Sequence, residues 1–369
     1  MLKAIVFPAK YVQGPGAISS IGYYTKPLGE KALLVTDSIC FEIGGKAAVA
    51  SFERENLVHE VEIFNGECTR KEISRVAQIA QAKGCDIIVG LGAGKVIDTA
   101  RAAAFEAETK LAVAPTSCTS TAPISSSSVV YRDDHTFEVE LVFPHNPDVI
   151  IADTSLIVMA PPAHLVAGIG DALAAYYEGV ACEKSRAKAV DGGERTLTVS
   201  AIATACKENL FAYGVAAKLS AEHQQVTAAL ERVVEAVFLM AGLSFEGPSC
   251  AAAHAIDTGM LNTLEELKKF RHGQIVAFTT LAALVLEQYP LDEIKRYVEL
   301  IKKLGLPTCL KDFGIVDVEG SRPRLMKSAE VACQRAIMKN EPFEVTPDMA
   351  FDAILGANLL GTYYNKQVE

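Results

Sequence analysis

The chain has 369 residues, 50% hydrophobic and 22% charged, with 45 acidic against 35 basic side chains and a formal charge of −10. At ~100–200 residues per domain, this length points to two domains with substantial cores and excludes a lone small module. No stretch concentrates the basic residues, which argues against nucleic acid and anionic membrane as partners.

The opening MLKAIVFPAKYVQGPG lacks the basic, apolar and small-residue order of a signal peptide. No apolar run reaches the ~18 residues of a bilayer span, so a cytoplasmic protein is expected. From 31 to about 153, short β-branched runs alternate with helical patterns, the mark of βαβ units and a parallel sheet. The predicted strands are 31–37, 59–64, 85–91, 110–115 and 147–153, and the predicted helices between them are 71–84 and 95–108. Asp37 closes the first strand, where a carboxylate can accept hydrogen bonds from an adenosine ribose and repel a 2′-phosphate, favouring NAD over NADP. Capping the turn that follows is its alternative role.

In GLGAGKVIDTA (90–100) a glycine-rich turn joins a buried strand to a helix. A phosphate needs backbone N–H groups with no side chain in the way, and a helix N-terminus supplies them together with a favourable dipole. Gly92 and Gly94 make room there, and Lys95 adds positive charge. The spacing is neither a P-loop nor G-x-G-x-x-G, and a plain tight turn fits it equally well. The serine-rich SCTSTAPISSSS (117–128) follows a strand into the carboxyl edge of the sheet, where open α/β folds bind ligands, so it reads as a binding loop before a linker.

The Ala-Pro-Pro step at 160–162 is the expected boundary, dividing an α/β domain (1–161) from an all-α domain (162–369). Helices are predicted over 163–183, 194–212, 226–241, 249–260, 272–287, 291–304, 323–338 and 347–364. Nine scattered cysteines with no C-x-x-C pair read as reduced core residues. None of the seven histidines belongs to a short ligand motif, but His254 lies among small residues and His272 opens a helix. Asp171 is a carboxylate in an otherwise apolar helix, and a buried acid calls for a cationic partner or a metal.

Taken together, VFPAKYVQGPGAI, FNGEC (64–68), GLGAGKVIDTA, APT (114–116), the A-P-x-S-x-x-S-V-x-Y pattern at 122–131, NPDVIIADT (146–154), GIGDALA (168–174), VTAALERVVEA (226–236), AAAHAI (251–256) and HGQIVAF (272–278) resemble the glycerol dehydrogenases of the metal-dependent, iron-containing alcohol dehydrogenase superfamily. The match is collinear over nearly the whole chain. It implies a Rossmann-like parallel-sheet domain followed by an all-α domain, the dehydroquinate synthase-like fold. It implies a divalent metal on Asp171, His254 and His272, zinc in most glycerol dehydrogenases with Fe(II) as the alternative. NAD contacts are implied at Asp37, Gly94, Lys95, Thr116, Thr119, Ser125, Ser127 and Tyr131. The implied reaction is reversible oxidation of a small alcohol or polyol, the metal acidifying the hydroxyl while hydride passes to nicotinamide. A homo-oligomer is also implied, often an octamer among glycerol dehydrogenases. A lyase of the same fold and a catalytically silent binding protein are the competing classes.

The departures from the pattern fall near the expected site. The family's S-T-D-A-P loop, whose Asp contacts substrate hydroxyls, places Thr121 at that position; its H-A-[IV]-H-N-G gives Asp257; its I-H-N gives Lys339. These raise the alternative of a non-glycerol substrate, such as a 2-hydroxy acid pairing with Lys339 or Arg132. The G-G-G-K turn reads GAGK, so Ala93 would be strained if its backbone were left-handed.

Overall fold

Buried aliphatic runs bounded by turn residues do form a parallel sheet. The computed structural model describes residues 2–189 and 192–366. Its strands are β1 (Tyr11–Gly14), β2 (Lys31–Thr36), β3 (Val58–Ile63), β4 (Ile87–Gly92), β5 (Lys110–Pro115), β6 (Ser127–Tyr131), β7 (Phe137–Val142) and β8 (Val149–Asp153). Six of them form one sheet in the order β1-β8-β5-β4-β2-β3, every neighbouring pair parallel. The central strands are buried apart from Lys31 and Lys110 at the starts of β2 and β5, as expected of a sheet covered on both faces. Strands β6 and β7 form a separate antiparallel hairpin that begins at the end of the serine-rich 117–128 stretch, where no strand is predicted from sequence.

The chain leaves β2 for β3 on one side and returns to β4 on the other, so the strand order reverses at β2. Ligands of open α/β sheets bind outside the carboxyl ends of the strands at such a reversal. Register there is fixed: Thr36 lies opposite Leu91, and Gly92 opposite Pro115. Asp37, the GAGK turn and Thr116 therefore emerge side by side. Helix α1 (Arg70–Lys83) is capped by the Thr69 hydroxyl and ended by Gly84, whose φ of 62° suits glycine. Helix α2 (Gly94–Glu106) follows β4 directly.

The second half is helical: α3 (Pro162–Ser185), α4 (Leu197–Glu222), α5 (Ala228–Glu235), α6 (Ala252–Thr263), α7 (His272–Leu286), α8 (Leu291–Leu304), α9 (Val318–Gln334) and α10 (Pro347–Lys366). Proline at the first position of α3 matches its preference for helix starts. None of the nine cysteines, all among the described residues, is in a disulfide, and seven are buried. No helix among the described residues is long and apolar enough to cross a membrane.

By packing, one compact unit holds Val6–Leu165 together with Leu219–Gly242, and the other holds Val166–Lys218, the chain from Leu243 onward and the residues before Val6. This division differs from a single cut at 161/162. The returning segment is tied into the α/β unit by side chains that a linear reading does not weigh. Gln13 donates to the Glu231 backbone carbonyl at 2.9 Å and to its carboxylate at 2.7 Å.

Candidate functional site

In the helical unit, Asp171 projects from α3, His254 from α6 and His272 from the first position of α7. His254 Nε2 lies 3.4 Å and His272 Nε2 3.5 Å from the same oxygen, Asp171 Oδ1. The two imidazole centroids are 5.4 Å apart. Metal–ligand bonds of ~2.0 Å in tetrahedral geometry place ligand atoms about 3.3 Å from one another. The spacing therefore fits one small divalent cation. Close backbone packing makes it possible: a Cβ on Gly273 would lie 1.9 Å from the Ala167 carbonyl oxygen, so glycine beside His272 lets α7 press onto α3.

Each imidazole has a carboxylate behind it. Glu178, 1% exposed, receives His254 Nδ1 at 2.5 Å and also accepts the Ala251 N–H at 2.7 Å and the His254 N–H at 3.0 Å. Asp257 Oδ2 lies 3.3 Å from His272 Nδ1. Carboxylates behind metal-ligating imidazoles fix tautomer and ring direction and raise ligand basicity. Sequence reasoning missed Glu178 in this role, although its signal was present: seven residues is two helical turns, which sets Asp171 and Glu178 on one face of α3. Exposure is graded across these three residues, with Asp171 at 5%, His254 at 14% and His272 at 48%. The open side of the site is at His272.

Electrostatics point to a cation. Burial pushes the Asp171 carboxyl up, but its hydrogen bonds and ion pairs to His254 and His272 outweigh this and hold it below the ordinary carboxylate range. Burial depresses both imidazoles, yet the surrounding carboxylates win: His254 is raised well above its ordinary value and His272 to about 10. The carboxylates thus favour positive charge at this point, whether carried by protons or by a metal. Metal uptake would displace the protons, so affinity should climb with pH.

Deeper in this unit two further acids carry raised pKa values. Burial, with the Glu341 charge adding to it, pushes Glu287 up to about 8 against the pull of Lys184; burial pushes Glu341 up to about 7, opposed by the Ala252 N–H and reinforced by Glu178. For both, the folded state binds protons more tightly than the unfolded chain. Their stabilising contribution is complete below the ordinary carboxylate range and is lost as pH rises towards 8. Glu287→Gln should therefore flatten the pH dependence and raise the melting temperature at pH 8, measured by thermal melts across pH 5–8.5.

In the α/β unit, the carboxyl edge gathers the predicted cofactor residues. Asp37 Oδ1 caps the following turn through the Cys40 N–H at 2.8 Å, the alternative role read from sequence, and the carboxylate also stands at the strand-order reversal. The α2 N-terminus supplies the first-turn N–H groups of Gly94 and Lys95, which helix geometry leaves without intrahelical acceptors. A Cβ on Gly94 would meet only Ala122, at 3.9 Å, leaving an open cradle above the turn. Gly92 serves packing instead, since a Cβ there would lie 2.7 Å from Val96. Ala93 has φ −80°, ordinary extended backbone, so the GAGK turn carries no left-handed strain.

Thr116 Oγ1 lies 3.4 Å from Cys40 Sγ, and Thr119 and Thr121 occupy the half-buried turn after β5. Ser125 and Ser127 are hydrogen-bonded at 3.0 Å, and Tyr131 ends β6 with Lys95 Nζ 5.2 Å from its ring. Lys95 also donates to Glu67 at 2.7 Å, and Glu67 receives His135 Nδ1 at the same distance. The FNGEC motif thus contributes the carboxylate that steers Lys95, a role not legible from the motif alone. Two further residues escaped sequence reasoning. Arg101, 2% exposed, donates to Asp98 at 2.8 Å, to the Ser127 carbonyl at 2.6 Å and to the Ala122 carbonyl, fastening both ends of the 122–127 loop to α2.

Among the remaining histidines, His59 packs on Phe52 and His223 bonds the Leu219 carbonyl. Among the described residues the groupings with metal-ligand spacing are Asp171 with both imidazoles, and Glu178, Cys250 and His254. In the second of these, Glu178 is already occupied by His254 and two backbone N–H groups.

The signature of the iron-containing alcohol dehydrogenase family matches residues 8–154. The chain is 39% identical to glycerol dehydrogenase of Citrobacter freundii, over 98% of each chain. It is 37% identical to glycolaldehyde reductase of Halobacterium salinarum, over 96% of each. Its structure superposes on crystalline glycerol dehydrogenase of Schizosaccharomyces pombe with a TM-score of 0.94 at 32% identity, over 99% of this chain and 92% of the other.

Proposed function

The chain belongs to the iron-containing alcohol dehydrogenase family, and on that premise we propose that it reversibly oxidises a small polyol of the glycerol type, with NAD as hydride acceptor and zinc on Asp171, His254 and His272. The observation that carries this reading is the ligand cluster itself, one carboxylate and two imidazoles at metal-binding distances with each imidazole backed by a second carboxylate. Two nitrogens, one oxygen and an open side suit zinc, with Fe(II) as the alternative. When bound, such a cation acidifies the hydroxyl of the substrate and NAD takes up the hydride, so that alcohol and NAD become carbonyl compound, NADH and a proton.

The chain's own residues do the rest. Asp171, with His254 and His272, concentrates donor atoms at one point, and the exposed flank of His272 leaves room for a hydroxyl-bearing carbon. The first turn of α2 offers N–H groups and the nearby Lys95 charge to a diphosphate. Asp37 can accept from ribose hydroxyls, and its charge would repel a 2′-phosphate. Thr116, Thr119, Ser125, Ser127 and Tyr131 line the same loops with hydroxyls, and Thr121 offers a neutral hydroxyl to the substrate.

The 2-hydroxy acid alternative loses its support. Arg132 is engaged by the Phe137 carbonyl of its own hairpin at 2.6 Å, and Lys339 lies exposed on the surface. The relatives at 39% identity are glycerol dehydrogenases, which supports a polyol despite Thr121.

The test is a spectrophotometric panel on zinc-reconstituted protein. NADH should form with glycerol or vicinal diols, and NADP should serve much less well. Turnover confined to 2-hydroxy acids would overturn the polyol assignment, and equal use of NADP would remove Asp37 from the ribose site.

A further inference from the structure

His254 and Asp257 stand three residues apart on α6, hence on one face of it, so a single helix offers both a ligand and the carboxylate facing the other ligand. Asp257 is 4% exposed, and its Oδ1 is buried with no hydrogen-bond partner. A buried carboxylate with one oxygen unsatisfied is unfavourable for stability alone and calls for another explanation. Its Oδ2, 3.3 Å from His272 Nδ1, supplies one. His272 is the most exposed of the three ligands at 48%, and a ring that faces solvent on one side is the one most in need of an anchor. His254, enclosed at 14%, already has Glu178.

We propose that Asp257 is a positioning residue of the metal centre, holding His272 with Nδ1–H towards the carboxylate and the Nε2 lone pair towards Asp171. The inference rests on the reading of Asp171, His254 and His272 as the metal ligands. It adds that this chain orients both imidazoles from behind, by different helices: α3 through Glu178 and α6 through Asp257. The sequence singled out Asp257 only as a departure near the site, and the geometry gives it a task.

The experiment measures zinc affinity directly, by competition with a chromogenic chelator at fixed pH. It also records the visible absorption bands of the cobalt(II)-substituted protein, which report ligand geometry without turnover. Asp257→Ala should weaken zinc roughly 10- to 100-fold, the usual effect of losing an orienting partner, and shift the cobalt bands. Asp257→Asn should fall between, because its carbamoyl oxygen still accepts from Nδ1. NAD affinity, read from the α/β unit, should stay within about twofold. Should Asp257→Ala fail to fold, the isosteric Asn variant carries the test alone. Zinc affinity and cobalt bands unchanged in the variant that folds would overturn the proposal. His254→Ala is the control: if that variant keeps its zinc, the ligand assignment itself falls, whereas zinc lost there but kept in the Asp257 variants removes Asp257 only.

Discussion

His254→Ala is expected to empty the metal site and abolish metal-dependent turnover while leaving NAD affinity nearly intact. The variant removes one of the three proposed ligands, so its loss of zinc affinity should exceed the roughly 10- to 100-fold effect of removing an orienting group. It should still fold. Glu178 loses its imidazole partner but keeps the N–H groups of Ala251 and of residue 254, so the buried carboxylate is not stranded. The residues proposed to hold NAD belong to the α/β unit and are untouched. Metal content by elemental analysis, turnover after chelation and zinc readdition, and calorimetric NAD binding together decide the matter. Full zinc occupancy with normal turnover would remove His254 from the site.

Arg101→Met should have the largest effect on stability. It leaves Asp98 buried without its cation, and breaking a buried ion pair from one side costs roughly 3–5 kcal/mol. Burial already pushes Asp98 up to about 6 with Arg101 in place. Its folded-state pKa thus lies above the unfolded one, so stability is lost as pH rises, and removing the guanidinium steepens that loss. Urea denaturation should show a smaller penalty at pH 5 than at pH 8, and Asp98→Asn in the Arg101→Met background should recover part of it. The variant should also raise the KM for NAD, because the carbonyls of Ala122 and Ser127 lose their common donor. A penalty independent of pH would mean that the pair is neutral in the folded protein.

The sheet was legible because its central strands are buried on both faces and spell continuous aliphatic runs. The predicted 31–37, 85–91 and 110–115 differ from β2, β4 and β5 by at most two residues at either end. β1 was not legible, since four half-buried residues ending in glycine carry no pattern. The hairpin of β6 and β7 was hidden by weak patterning: its pairs Val130–Val139 and Ser128–Leu141 share one face, but Glu138 and Glu140 flank Val139 and no β7 residue is fully buried. Helix α9 begins at Val318 instead of 323, because Asp317 caps it through the Gly320 N–H and Pro323 lies inside the helix rather than opening it.

The site shows the same division. Asp171, His254 and His272 were named by resemblance, but that they share one carboxylate oxygen is a property of packing, set by Gly273 against α3. Glu178, Asp257, Glu67 and Arg101 act on other site residues, and such roles depend on contacts between distant segments that no local motif records.

The segment Leu219–Gly242 has a consequence for how the protein is made. Since the α/β unit includes it, the sheet cannot receive all of its packing partners until residue 242 has left the ribosome, some ninety residues after β8 is complete. Lys3 pairs with Glu194, so the segment around Lys3 also waits for a partner made much later. Such long sequence separations slow folding and leave nascent apolar surface uncovered for longer. A polypeptide ending near residue 161 would be an interrupted fold, not a freestanding nucleotide-binding module.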